Sequence, residues 1–341
     1  MQAIVKYEYL LSPAFRCEAD VLRLGVELEI LTEHVCTASD APLIEDDAIN
    51  RMIEAGYFPS ENLFKERLSR FSADFPYCAH DFVHMINRIT QKGRCVSEIP
   101  VTVDVEWGDK SLEPNFERTP AHRLVEMTAL YERLCTSNHF ENSEYATIYS
   151  CLEGVNEFEK VTLQGVALDV YPDNAYKFPL TVGAATSIFG NYNRYLSLLD
   201  GRKLFSSASE ADLKKAFYVG ALNLAAPSGG TLEVIPWRDF DIGSGFYKSM
   251  MNNECAPGMK FDMVLFDAVV HILAGCPKYD VDVFTKTSNS DEPRTHGRLT
   301  AYRTHVTKSG RALRLMFWRA VGGGVTFANV GNKFELEIFR P

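Results

Sequence analysis

The last thirty residues constrain the fold most. Leu313 to Val321 (LRLMFWRAV), Val325 to Val330 (VTFANV) and Lys333 to Phe339 (KFELEIF) are apolar-rich runs separated by Gly322-Gly323-Gly324 and Gly331-Asn332. Short β-prone runs joined by glycine turns predict an antiparallel meander, because glycine supplies the positive φ that tight hairpins need. The rest of the chain must therefore supply elements that cover a sheet. Its 341 residues suit about two domains or one elaborate α+β domain.

Upstream, period-2 alternation predicts strands over 22–31 (LRLGVELEIL), Val96–Trp107, Val161–Tyr171 and Gly230–Trp237. Helical patterning predicts an insertion near 45–92, with one helix beginning at Ser60. Further helices are expected from Thr119-Pro120 to about Cys135, over Ala185–Leu199, over Ser209–Leu224 with Ser209 and Asp212 as a capping pair, and over Lys260–Ala274. Thr285 to Gly297 reads as an exposed loop. The expected fold is α+β: an antiparallel sheet with helices packed on it and a β-rich C-terminal region. Its expected division is 1–255 and 256–341.

Apolar residues make up 46% of the chain and charged residues 23%, as in an ordinary globular protein. A net charge of −10 excludes a protein coated all over with basic charge. The N-terminus has no basic segment followed by an apolar stretch, so no signal peptide is expected. Met263–Cys276 is interrupted by Asp267 and His271 and is too short to span a bilayer. The eight scattered cysteines include no C-x-x-C pair, and they read as reduced thiols of a cytoplasmic protein.

Two carboxylate clusters invite a functional reading. On a strand, Glu27 and Glu29 share one face about 6–7 Å apart, where they either hold Mg²⁺ or face solvent. Glu233 lies among apolar neighbours, with Arg238 following. An arginine there clamps a phosphate or carboxylate, or pairs with the glutamate. Asp109 and Glu117 lie in a segment leading to a helix.

Together these segments resemble the carboxylate–amine ligases of the glutamate–cysteine ligase and amidoligase group, which share a glutamine-synthetase-like fold. The resemblance rests on Gly25-Val26-Glu27-Leu28-Glu29 for G-V-E-x-E, Asp109-Lys110-Ser111-Leu112 for D-x-S-L, and Glu117-Arg118-Thr119-Pro120. It continues with Gly165 to Val170 for G-x-H-x-H-V, and Gly230-Thr231-Leu232-Glu233 for G-T-x-E. It covers roughly residues 20–250. The chain departs from the pattern at Ala167 and Asp169, which replace both histidines, and at Ile235, which replaces an arginine. The resemblance implies an ATP- and Mg²⁺-dependent ligase, or a degenerate relative, acting on a small carboxylate and an amine. Glu27, Glu29, Glu233 and Asp169 would be metal-linked, Arg202 and Glu117 would bind the cofactor, and Arg238 and Asp109 would serve the chemistry.

A second reading comes from charge asymmetry. Between Lys286 and Arg319 stand eight Lys and Arg against Asp291 and Glu292, a net +6, whereas the rest of the chain carries −16. Arg298, Arg303, Lys308, Arg311 and Arg314 lie among Tyr302, Phe317 and Trp318, a pattern able to follow an RNA or DNA backbone and stack bases. The glycine-rich hairpin is similar to the glycine loop of CRISPR RNA-binding RAMP proteins. The bland alternative is a solvated basic sheet face. His80 and His84, Asp280 and Asp282, and Gly243–Ser249 have commoner structural explanations. No membrane partner is expected, and the chain would act singly or as an oligomer.

Overall fold

A computed structural model describes residues 1–37, 41–98, 102–114, 121–141, 143–152, 159–172, 176–229, 232–287, 291–308 and 310–341. The chain packs as two units, Met1–Tyr195 and Leu196–Pro341. The division expected at 255 falls inside the second.

The first unit runs β1 (Gln2–Val5), α1 (Tyr7–Leu11), α2 (Glu18–Thr37), β2 (Leu43–Ile44), α3 (Ala48–Glu54), α4 (Glu61–Leu68), α5 (Ala79–Lys92) and β3 (Arg94–Cys95). It continues with β4 (Asp104–Glu113), α6 (Ala121–Phe140), β5 (Tyr145–Ile148), β6 (Lys160–Tyr171), β7 (Leu180–Phe189) and α7 (Tyr192–Leu198), whose last residues belong to the second unit. Its seven-stranded sheet has the order β3-β2-β1-β5-β7-β6-β4. The first five strands in that order are mutually parallel, and β6 and β4 complete the sheet antiparallel. The sheet is therefore mixed, not antiparallel throughout. Helix α6 lays Met127, Tyr131 and Leu134 against Ile4, Leu43, Val161 and Ile188, while α2 packs along α5.

The expected strand at 22–31 is the middle of α2. Val21, Leu24, Leu28, Leu31 and Val35 are buried, while Leu22 is exposed and Val26 half-buried. That is helical spacing, and over twenty residues it prevails over the shorter alternation. Gly25 is where the ring of Tyr77 crosses the helix: a Cβ there would lie 2.4 Å from a ring carbon. Residues 185–189, expected to be helical, close β7, whose Val182, Ala184, Thr186 and Ile188 are buried alternately with exposed neighbours. The helix begins only at Tyr192. Only 104–107 of the strand expected over 96–107 is extended, since Val96–Glu98 is a 3-10 turn and 99–101 lie outside the described residues.

The second unit contains α8 (Gly201–Ser206), α9 (Leu213–Ala225), β8 (Phe240–Ile242), α10 (Phe246–Asn252), α11 (Asp262–Leu273), β9 (Val281–Val283), β10 (Thr295–His296), β11 (Leu299–His305), β12 (Leu313–Ala320) and β13 (Val325–Asn332). The Ser209–Asp212 capping box forms as expected, with Ser209 Oγ donating to Asp212 at 2.6 Å. Of the expected meander only the β12–β13 hairpin forms, and its third strand is supplied from upstream by β11, antiparallel to β12, with β10 and β9 on β11 and β8 parallel to β13. Two expected strands are absent. Residues 232–236 are irregular, followed by a 3-10 turn at Trp237–Asp239, and 230–231 lie outside the described residues. Residues 335–341 form no strand: Trp318 Nε1 donates to the Phe339 carbonyl (2.7 Å), and the Asn329 amide bonds Glu337 O and Phe339 N.

Candidate nucleic-acid interface

The register of the C-terminal sheet sorts its side chains between two faces. On one lie Leu299, Ala301, Phe284, Met316 and Trp318, packed against Ile338 and Phe339. Ala301 pairs with Trp318, Arg303 with Met316 and His305 with Arg314, so Arg303, His305 and Arg314 continue this face beyond its apolar part. Asp282 lies opposite Arg303 on the neighbouring strand.

Cations cover the rings here. The guanidinium of Arg294 stands 4.9 Å from the ring centroid of Phe284, and that of Arg303 stands 5.2 Å from it. Phe284 itself is 1% exposed. Lys308 Nζ lies 4.5 Å from the Tyr279 ring, which in turn meets His305 edge-on at 5.9 Å. Arg294 also donates to the carbonyls of Thr285 (3.0 Å) and Lys286 (2.9 Å), which fixes its orientation. Among the described residues, no carboxylate lies within ion-pair distance of Arg294, Arg303, Lys308 or Arg314.

Arg314 donates to His305 Nδ1, a contact that requires the lone pair of a neutral imidazole. Burial, with Arg314 adding to it, lowers the His305 pKa below its ordinary value. Burial and the neighbouring Arg303 lower that of Arg314 as well. Asp282, opposite Arg303, acts on His305 and Arg314 from a distance and offsets part of this crowding without closing an ion pair.

The expected interface residues divide. Arg303, Lys308 and Arg314 belong to this face, and Arg298 is exposed beside the β10–β11 turn. Arg311 is engaged elsewhere, with Glu254 (3.0 Å) and Asn253 (3.0 Å), and Lys286 pairs with Glu292. Arg294, Phe284 and Tyr279 were not singled out by the sequence, because only the fold brings them to Arg303 and His305. The expected role of the aromatics changes. Tyr302 and Phe317 stack on each other at 5.9 Å on the opposite face, Trp318 is buried, and Phe284 is the floor beneath two arginines.

The residues carrying the ligase resemblance are spread over several elements, Glu27, Glu29, Asp109 and Asp169 in the first unit and Arg202, Glu233 and Arg238 in the second. Glu27, buried in α2, accepts from Tyr9 Oη (2.5 Å) and the Tyr192 backbone N–H (2.9 Å) through one oxygen and from Arg23 (2.9 Å) through the other. Burial raises its pKa against these partners. Glu29, two residues on, projects about 200° around the helix from it, so the shared face that a strand would give is lost. Asp169 lies exposed on β6, accepting from the backbone N–H of Val170 (2.8 Å), and Asp109 lies exposed on bulged β4. Arg202 pairs with Asp267 at 2.6 Å. Glu233 and Arg238 are exposed on irregular chain and a 3-10 turn, and Glu117 lies outside the described residues. Among the described residues no group of three or more His, Cys, Asp or Glu is placed to hold a metal ion. With Glu27 held by three donors and Glu29 turned about 200° from it, this pair does not fit the magnesium that the resemblance implies.

The chain matches no family model, no curated protein and no solved structure. No helix among the described residues is long and apolar enough to cross a membrane.

Proposed function

We propose that the C-terminal unit binds the phosphate backbone of nucleic acid through Arg294, Arg303, Lys308 and Arg314, with Arg298 at its margin. The observation that carries this reading is the cation-covered sheet face, four cations with no carboxylate in ion-pair reach among the described residues. Left unpaired, such charges repel one another, and an anion laid across them relieves that repulsion. Guanidinium forks match phosphate oxygens two at a time. Charge distribution supports the reading: the C-terminal unit carries 18 Lys and Arg against 15 Asp and Glu, whereas the first carries 17 against 30.

Phe284, buried beneath two arginines, offers a base no face to stack on, so binding is read through phosphates and tolerates sequence. Fluorescence anisotropy with random-sequence RNA and DNA tests this on the full chain. Arg303→Ala/Arg314→Ala should weaken binding at least tenfold with every sequence alike, while Arg311→Ala, which removes an arginine already paired with Glu254, changes it little. Equal losses for the two variants would overturn the assignment of the face.

A further inference from the structure

The parallel strands of the first unit end in a cluster of charge that the function proposed above does not use. Lys6 follows β1 directly and Glu45 follows β2 directly. Lys6 Nζ meets Glu45 Oε1 at 2.6 Å, and the other Glu45 oxygen accepts from the Tyr7 backbone N–H at 3.1 Å. Arg123 of α6 grips Glu8 with Nε (3.0 Å) and Nη2 (3.1 Å), and its Nη1 reaches Glu45 (2.5 Å) and Glu126 (3.1 Å). Arg51 of α3 also contacts Glu126 and donates Nε–H to Asp46 O at 2.6 Å. Lys6, Glu8, Glu45 and Arg123 are buried, whereas Arg51 is 18% and Glu126 39% exposed.

The location has chemical meaning. From β1 the chain builds β2 and β3 to one side, and later β5 and β7 to the other, so β1 and β5 flank the point where strand order reverses. In open α/β sheets, ligands bind outside the carboxyl ends of the strands at such a point. Among the described residues of the cluster the most exposed is Glu126, whose carboxylate is held between two guanidinium groups. Among the described residues, the ion pairs left to Lys6, Arg51 and Arg123 without Glu126 are with Glu8 and Glu45, three cations against two carboxylates.

We propose that the position filled by the Glu126 carboxylate, between Arg51 and Arg123, is a binding site for the phosphate group of a small ligand, with Glu126 as the internal anion that the ligand displaces. One Nη1 from each guanidinium, Arg51 on α3 and Arg123 on α6, converges on that position, while Arg51 Nε is held by Asp46 O and Arg123 Nε and Nη2 by Glu8. A tetrahedral dianion offers each Nη1 its own oxygen. The buried Lys6–Glu45 pair stands behind them as a rigid floor.

Inorganic phosphate is the probe, titrated calorimetrically into the full chain at constant ionic strength, with sodium acetate and sodium chloride as comparisons. Glu126→Gln, a change at the exposed rim, should tighten phosphate binding about tenfold, because the competing charge is gone. Arg51→Gln should weaken it at least tenfold while thermal unfolding shows the fold intact. Unchanged phosphate affinity in Glu126→Gln would overturn the displacement. An acetate response equal to that of phosphate would overturn the phosphate assignment. Phosphate heats no different from chloride in both wild type and Glu126→Gln would overturn the site itself.

Discussion

Glu45 and His305 are two side chains whose surroundings fix their charge in opposite ways. Burial alone would raise the Glu45 pKa, but Lys6 and Arg123 outweigh it and hold the carboxyl at about 2. Its value in an unfolded chain is the ordinary 4.5. A folded value below the unfolded one stabilises the protein above the unfolded pKa, and that stabilisation is lost as pH falls towards the folded pKa. The difference corresponds to about 3 kcal/mol. Glu45→Gln also leaves Lys6 and Arg123 buried with less counter-charge, so it should destabilise the chain by about 3–5 kcal/mol at neutral pH. In urea melts the gap between wild type and variant should narrow between pH 5 and pH 2; a constant gap would contradict the assignment. Glu27, whose pKa burial raises, acts in the opposite sense in both proteins and cancels from the difference, whereas Glu8, raised by burial and in part by Glu45 itself, is relieved in the variant. His305 works the other way. A phosphate laid beside it favours its protonated form, so nucleic-acid binding should strengthen as pH falls from 7 to 5.5. Anisotropy of His305→Gln should show a flat profile over that range, and a profile as steep as wild type would remove His305 from the interface.

Elements differ in how plainly their sequences declare them. The β12–β13 hairpin and the Ser209–Asp212 cap are legible because local chemistry decides them: glycines where the hairpin turns, a hydroxyl and a carboxylate three residues apart at a helix start. The segment GVELEIL is not, since its alternation satisfies a strand while Val21, Leu24, Leu28, Leu31 and Val35 satisfy a helix, and only packing on α5 decides between them. Gly25 shows the cost of that ambiguity. As part of a motif it suggests a strand entering a catalytic site, whereas in α2 it makes room for Tyr77. An alanine in a helix ordinarily gains about 1 kcal/mol over glycine. Here Gly25→Ala should instead destabilise the chain by about 1–3 kcal/mol through overpacking, and Tyr77→Leu should relieve part of the loss. Thermal unfolding of the single and double variants measures this, and a stabilised Gly25→Ala would contradict the packing. The candidate interface was legible only in part for a related reason. Charge counting finds the basic stretch, but strand register alone tells Arg303 and Arg314 from Arg311, which is spent on Glu254.

At the scale of the molecule, charge is divided between the two units, −13 in the first and +3 in the second, although the whole chain is acidic. A net charge of −10 therefore argues against a uniformly basic coat without arguing against one basic face. The central claim is that this face neutralises phosphates, and neutralisation has a thermodynamic signature in the counterions it releases. The most direct measurement is the dependence of nucleic-acid affinity on salt for the full chain and for Arg303→Ala/Arg314→Ala. With about four phosphate contacts on duplex DNA, log affinity should fall against log salt with a slope near −3 to −4. The double variant should lower that slope by about two. A wild-type slope near zero, or an unchanged slope in the variant, would contradict it.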